Sequence, residues 1–310
     1  MRKQYIKWFA KLALFIIVFI VTDYIFGMSI KTLDKRAVEL NPDANKTRYL
    51  LDDVCSDVLI VGASEVEFSY RPDIIMDSLG MTVYNCGKNG QRLYYQTTVV
   101  NSIIDRYSPK LIVWSIAPNC LTPYQGDLDR TSILKPYYHD NKYCKEILQK
   151  RSWNEKWKMN SNFYAYNSEF HGIIINALHS AEQKSIYGYL PLPNGDKEPP
   201  FEEMQFDDNP DELCVNLFSN IVRRLKEKGI NVVFIFSPQY SYGDYHQLDS
   251  YKLLCTIIND NGYFLWEDFY HNSSLMHGYS FKDKDHLSEQ GVKCFSQMVA
   301  HKLKISYFLI

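Results

Sequence analysis

Val58-Leu59-Ile60-Val61-Gly62-Ala63-Ser64-Glu65 is the stretch that decides the fold. Its first four residues form a short, continuous apolar run without polar alternation, which predicts a strand buried on both faces, as in a parallel sheet. The glycine and small residues that follow end the strand and lead into a helix N-terminus carrying Ser64.

The same alternation extends outward. A helix-like segment at 74–79 precedes an extended run at 82–84; a helix at 93–107 precedes an apolar run at 111–114 behind Pro109. It resumes late, with a helix at 212–228 stopped by Gly229, a strand at 232–236 ending at Pro238, a helix at 248–258, an extended run at 263–266 and a last helix at 289–303 capped by Ser288. Short apolar runs joined by helices predict an α/β domain over 54–310, with about five parallel strands and helices on both faces in three α/β/α layers.

Between the halves lies an insertion at about 120–208 that gathers Tyr124, Tyr137, Tyr138, Tyr143, Trp153, Trp157, Phe163, Tyr164, Tyr166, Tyr187 and Tyr189. With a helix of its own expected at 162–181, it is too long for a plain loop. It is expected to be either a lid facing the substrate or a small accessory core.

Ahead of the domain, Arg2, Lys3, Lys7 and Lys11 precede an uncharged run at 12–22, and the apolar stretch including its flanks is roughly the 20 residues a membrane-spanning helix needs. No small-residue cleavage site follows it, so residues 1–28 are expected to be an uncleaved anchor, its basic end cytoplasmic and the rest of the chain outside the inner membrane. The polar residues 29–53 are expected to be a linker.

Length and composition agree with this plan. The 310 residues are 46% hydrophobic and 23% charged, and a net charge of -2 without a basic cluster beyond the N-terminus gives no footprint for nucleic acid. Seven cysteines without any C-x-x-C pair support neither a zinc site nor a redox motif, and spacing selects no disulfide.

Open parallel sheets bind ligands beyond the carboxyl ends of their strands. Three of these ends carry unusual chemistry: Gly62-Ala63-Ser64-Glu65, then Asn85-Cys86-Gly87-Lys88-Asn89-Gly90, then Ser115-Ile116-Ala117-Pro118-Asn119. A fourth element, Asp283-Lys284-Asp285-His286, precedes the last helix. A serine beside free backbone N–H groups at a helix start suits a nucleophile; His286 can serve as its base, and Asp283, three residues earlier, can reach Nδ1 and fix the tautomer. Asp285 is expected to point elsewhere. The N–H groups of Ser64 and Gly90 and the Asn119 amide would form an oxyanion hole, with Gly87 the competing backbone donor. His277 is a reserve base without an aspartate at useful spacing. Glu65 has Arg71 and Arg92 as candidate partners, or a place in the pocket selecting the substrate.

These four blocks resemble the SGNH (GDSL-like) hydrolases. Gly62-Ala63-Ser64 falls on the nucleophile block, Gly90 and Asn119 on the second and third, and Asp283 with His286 on the D-x-x-H of the last. Ala63 and Glu65 replace the Asp and Leu of the first block, and Ala117 and Cys120 replace the Gly and Asp of the third. The resemblance covers 54–303 apart from the insertion. It implies a flavodoxin-like SGNH hydrolase fold and a serine esterase with no cofactor or metal. Its likeness to the membrane-anchored cell-surface branches, rather than to the secreted lipases and esterases, implies an acylated carbohydrate or other small ester as substrate. An O-acyltransferase using the same residues and a catalytically silent glycan-binding or assembly protein are the alternatives.

Overall fold

In the computed structural model, β1 (Val58–Val61), β2 (Val83–Asn85), β3 (Leu111–Ser115), β4 (Asn231–Ile235) and β5 (Phe264–Trp266) form one parallel sheet in the order β2-β1-β3-β4-β5. The structure describes residues 2–178, 185–193, 199–241, 243–275 and 280–308. Every residue of β1, β2 and β3 is buried, which explains why those strands read as continuous apolar runs. β4 begins exposed, and β5 at the sheet edge is more open.

The helices begin and end where local chemistry dictates. Pro72 starts the Pro72–Leu79 helix, where a missing N–H costs nothing, and Gly80 closes it at φ 65°. The Asp211 carboxylate accepts the Cys214 N–H at the start of Glu212–Glu227. Ser288 caps Glu289–Phe308 by accepting the Gly291 N–H at 3.2 Å. Around the sheet, Val58, Ile60, Val113 and Ile235 pack with Ile75, Val292, Phe295 and Val299 in one core.

The chain divides into two compact units, Met1–Arg48 with Thr131–Glu182, and Tyr49–Arg130 with Gln183–Ile310; the second holds the whole sheet. The expected linker at 29–53 is divided between these two units. Residues 29–53 are not a linker: the first helix runs Arg2–Leu40, followed by a 3-10 turn at Pro42–Asn45 and a helix at Lys46–Asp52. The physical reason is a buried stripe at Asp23, Gly27, Ile30, Asp34 and Ala37, whose three- and four-residue spacing places it on one helix face. Polar composition concealed it, because two of these positions are aspartates.

Within this first unit each buried aspartate has partners. Asp23 accepts hydrogen bonds from Ser161 Oγ (2.7 Å), Asn162 N (2.8 Å), Asn162 Nδ2 (3.0 Å) and Phe163 N (2.9 Å), capping the Asn162–Tyr166 helix from outside. Asp34 pairs with Arg48, whose guanidinium lies over the Tyr137 ring. The helix expected at 162–181 is broken into Asn162–Tyr166 and Phe170–Leu178, and its expected end lies outside the described residues. Residues 3–22 of the first helix are exposed all round, and the helix is long and apolar enough to cross a membrane.

Candidate active site

Ser64 is the first residue of the four-residue helix Ser64–Glu67, which starts three residues past the end of β1. Ser64, Gly90, Asn119 and His286 line one cavity of about 690 Å³ in the second unit, beyond the carboxyl ends of β1, β3 and β4. The four sequence blocks therefore converge on one space. Asp283 stands behind His286 rather than in the cavity wall: its Oδ1 and Oδ2 lie 2.9 and 3.0 Å from His286 Nδ1.

The Asp283–His286 turn is built by backbone bonds. Asp283 Oδ1 also accepts the N–H groups of Asp285 and His286, both at 2.9 Å, and an antiparallel bridge between Phe281 and Leu287 closes the loop. Burial works to raise the Asp283 carboxyl, but the Asp285 N–H and the His286 ring and N–H outweigh it, so Asp283 sits below the ordinary carboxylate value and is ionised at neutral pH. The Phe68 ring packs edge-on against the imidazole at 5.4 Å. Nδ1 is thereby committed to Asp283, while the buried Nε2 has no hydrogen-bond partner among the described residues. No hydrogen bond joins Ser64 Oγ to it.

Three N–H donors on the cavity wall are likewise unused. Asn119 is buried and its Nδ2 has no acceptor among the described residues. The backbone N–H groups of Ser64 and Gly90 have none among the described residues. An unsatisfied buried amide is costly, and such groups in a cavity mark a place where an acceptor belongs.

The two candidate glycines separate. Gly87 donates its N–H to Asn85 Oδ1 at 2.9 Å, and a Cβ there would fall 2.3 Å from Glu67 N, so this glycine lets the loop pass against the Ser64 helix. Gly90 has φ 71°, a left-handed conformation, and lines the cavity.

The structure decides among several of the sequence expectations. Asp285 does not point away: it lines the cavity beside His286, and its carboxyl is raised, chiefly by burial. Glu65 pairs with neither arginine, since Arg71 is bound to Asp73 and Arg92 to Asp127. It lines the cavity and accepts the Ala63 N–H at 2.8 Å; burial raises its carboxyl, against the pull of that bond, Arg92 and His286. Of the eleven insertion aromatics, Tyr124 alone lines the cavity, its ring 3.8 Å from the Arg92 guanidinium; residues 137–166 fold into the first unit. His277 lies outside the described residues.

Other contributors had no sequence signal. Ser115 and Ser237, at the ends of β3 and β4, form a buried hydroxyl chain with Tyr70, each link 2.7 Å. Residues 202–206 form the opposite rim, held by Lys284–Glu202 and by Glu202 N to Ser241 Oγ. That rim lacks regular structure, so no periodicity announces it. Among the described residues no cluster of His, Cys, Asp or Glu is placed to hold a metal ion. Burial pushes the Cys120 thiol in the cavity wall up to about 12, leaving it protonated and unsuited as a nucleophile. The chain matches no protein-family model and no curated protein in sequence, which leaves the chemistry of this cavity to carry the functional reading.

Proposed function

We propose that this chain is a membrane-anchored serine esterase of the SGNH type, acting on an acylated carbohydrate outside the membrane. The observation that carries the proposal is His286: Nδ1 is locked to an ionised Asp283, while a buried, unpartnered Nε2 shares a cavity with Ser64 and three unused N–H donors.

In the proposed reaction Ser64 Oγ bonds to the ester carbonyl carbon as its proton passes to His286 Nε2. The carbonyl oxygen, now negative, takes hydrogen bonds from Ser64 N–H, Gly90 N–H and Asn119 Nδ2. Collapse breaks the bond to the leaving alcohol, which receives the proton from His286. Water then attacks the acyl-Ser64 carbonyl, its proton going to His286, and the second collapse returns that proton to Ser64 as the acid leaves. The step requires Ser64 Oγ to move into contact with Nε2, and catalytic hydrogen bonds commonly tighten only when substrate is bound.

The SGNH assignment and its three layers are supported by the strand order β2-β1-β3-β4-β5, by the pairing of Pro72–Leu79 with Glu289–Phe308, and by that of Leu93–Arg106 with Glu212–Glu227. A carbohydrate substrate is supported by the exposed Tyr124 ring stacked on Arg92, a flat face beside polar groups. The uncleaved anchor is supported by the Asp23 cap and the stripe to Ala37: removal of residues 1–28 would take Asp23 and Gly27 out of the first unit's packing. The basic N-terminal tip supports a cytoplasmic start.

A fluorophosphonate probe applied to the detergent-solubilised chain tests the proposal. Labelling of the wild type that is lost in both Ser64→Ala and His286→Ala is expected; a folded wild type that takes no label would overturn it.

A further inference from the structure

Lys150-Arg151-Ser152-Trp153-Asn154-Glu155-Lys156-Trp157-Lys158 belongs to the first unit and contributes nothing to the cavity. Trp153 is 88% exposed and Trp157 67% exposed, an unusual state for the largest side chain. Four basic residues accompany them. Arg151 and Lys158 share the buried Glu155 carboxylate, whereas Lys150 and Lys156 have no carboxylate partner among the described residues. The segment is apolar and cationic at once.

Its place on the first helix supplies the second observation. A run of turns, Asn160 N to Trp157 O and Ser161 N to Lys158 O, leads directly into the Asp23 cap. Phe163 extends the attachment along the helix, its ring 4.7 Å from Phe26 and 6.0 Å from Phe19. Asp23 is also where the all-round exposed apolar run ends. Trp157 and Lys158 therefore join, within a few residues of chain, the point on the helix where a spanning segment would leave hydrocarbon for water, and Trp153 and Lys150 follow on the same short segment.

We infer that residues 150–163 form an interfacial collar that docks on the bilayer surface around the first helix. Trp153 and Trp157 lie at headgroup depth, and Lys150 and Lys156 face anionic lipid phosphates. Tryptophan favours that depth because its ring is apolar and its indole N–H is polar. Each lysine is attracted to an anionic surface, and salt screens that attraction. The buried Asp23 fixes the collar's height by accepting the donors of residues 161–163. This inference rests on the first helix spanning a membrane, as proposed above.

The experiment uses the full chain in phosphatidylcholine vesicles with and without phosphatidylglycerol, and lipids brominated near the carbonyl as quenchers of tryptophan emission. Trp8, on the exposed apolar helix, reports the span; Trp8→Phe leaves Trp153 and Trp157 as the lipid-facing reporters, over buried Trp114 and partly buried Trp266. Quenching that persists in Trp8→Phe and disappears when Trp153→Phe and Trp157→Phe are added is expected. Its strength should rise with phosphatidylglycerol, and Lys150→Ala with Lys156→Ala should remove that rise. Quenching of Trp8 without quenching of Trp153 and Trp157 would overturn the collar and leave the span standing. Absence of Trp8 quenching would sink the span and the collar with it. Emission from Trp153 and Trp157 that shifts to the blue with protein concentration in detergent, but not with lipid, would show a second copy on this face and overturn the lipid assignment.

Discussion

The Asp283 carboxylate holds His286 Nδ1 between its two oxygens at 2.9 and 3.0 Å, and at the far side of the same ring Nε2 meets no partner among the described residues. Accepting at Nδ1 puts the proton there and leaves a lone pair on Nε2, the tautomer a general base needs. Asp283→Asn keeps an oxygen for the N–H groups of Asp285 and His286 but turns an amide donor toward Nδ1. The proton is then forced onto Nε2. A loss of about 10³–10⁴ in kcat toward an aryl ester is expected, with KM nearly unchanged. Activity within a few-fold of wild type would show that the ring does not act as the base. Because the Asp283 carboxyl is held below its ordinary value, its contribution to stability is fully present above the unfolded carboxyl's pKa and lost as pH falls through the folded value. Thermal melts should show the Asn variant's deficit at pH 7 and its disappearance in acid.

Gly87, Gly90 and Asn119 should separate packing from chemistry. A Cβ at residue 87 meets backbone at 2.3 Å, so Gly87→Ala should impair folding outright. At residue 90 it meets the end of the Arg130 side chain at 2.8 Å, which can move, and the left-handed backbone adds a strain of about 1–2 kcal/mol. Gly90→Ala should fold with a lowered Tm. Asn119→Ala removes a buried amide that has no acceptor, so stability should hold while kcat falls about 10²–10³-fold. Melting curves beside ester turnover check all three; an Asn119→Ala protein with full turnover would remove Asn119 from the proposed oxyanion hole.

How much of this was legible follows from what each element depends on. β1 and β3 were readable because strands covered on both faces must be apolar throughout, and the Asp283-x-x-His286 turn was readable because its hydrogen bonds are local. Residues 29–53 misled because their buried positions include Asp34, whose partner Arg48 lies fourteen residues on. For the aromatic insertion the sequence left a lid and an accessory core equally open, and residues 137–166 take the second course. Aromatic content shows that a segment will bury surface, not against what, and residues such as Tyr166 and Ile173 bury theirs with Phe26 and Ile30 of the first helix. Asp285 gained its place in the cavity from the tertiary convergence of four loops, which no single stretch encodes, and the same convergence put Glu65 in the pocket rather than against Arg71 or Arg92.

Glu65 supplies a prediction whose sign is opposite to that of Asp283. Its carboxyl is raised, chiefly by burial, so ionisation opposes folding: the penalty is present above the folded pKa and vanishes as pH falls below the unfolded value. Glu65→Gln retains an oxygen for the Ala63 N–H and removes the charge. The variant should melt at a higher temperature than wild type at pH 8, and the difference should shrink toward pH 4. A constant difference across that range, or a variant less stable at pH 8, would show that the carboxylate is not the strained species.

Asp23 tests whether the first helix is a scaffold for the insertion as well as the proposed anchor. Its carboxylate receives four hydrogen bonds from residues 161–163, and the helix it caps is only five residues long, too short to persist without fixed ends. Asp23→Ala strands two backbone N–H groups and two side-chain donors beside an apolar helix face, at a cost of about 2 kcal/mol or more. Asp23→Asn keeps one acceptor oxygen and should recover part of it. Limited proteolysis of the full chain in detergent, with fragments identified by mass, should show cleavage between residues 152 and 178 in the alanine variant, less in the asparagine variant and least in wild type. Equal resistance of all three would mean that helix packing at Gly27 and Ile30 holds the insertion without the cap.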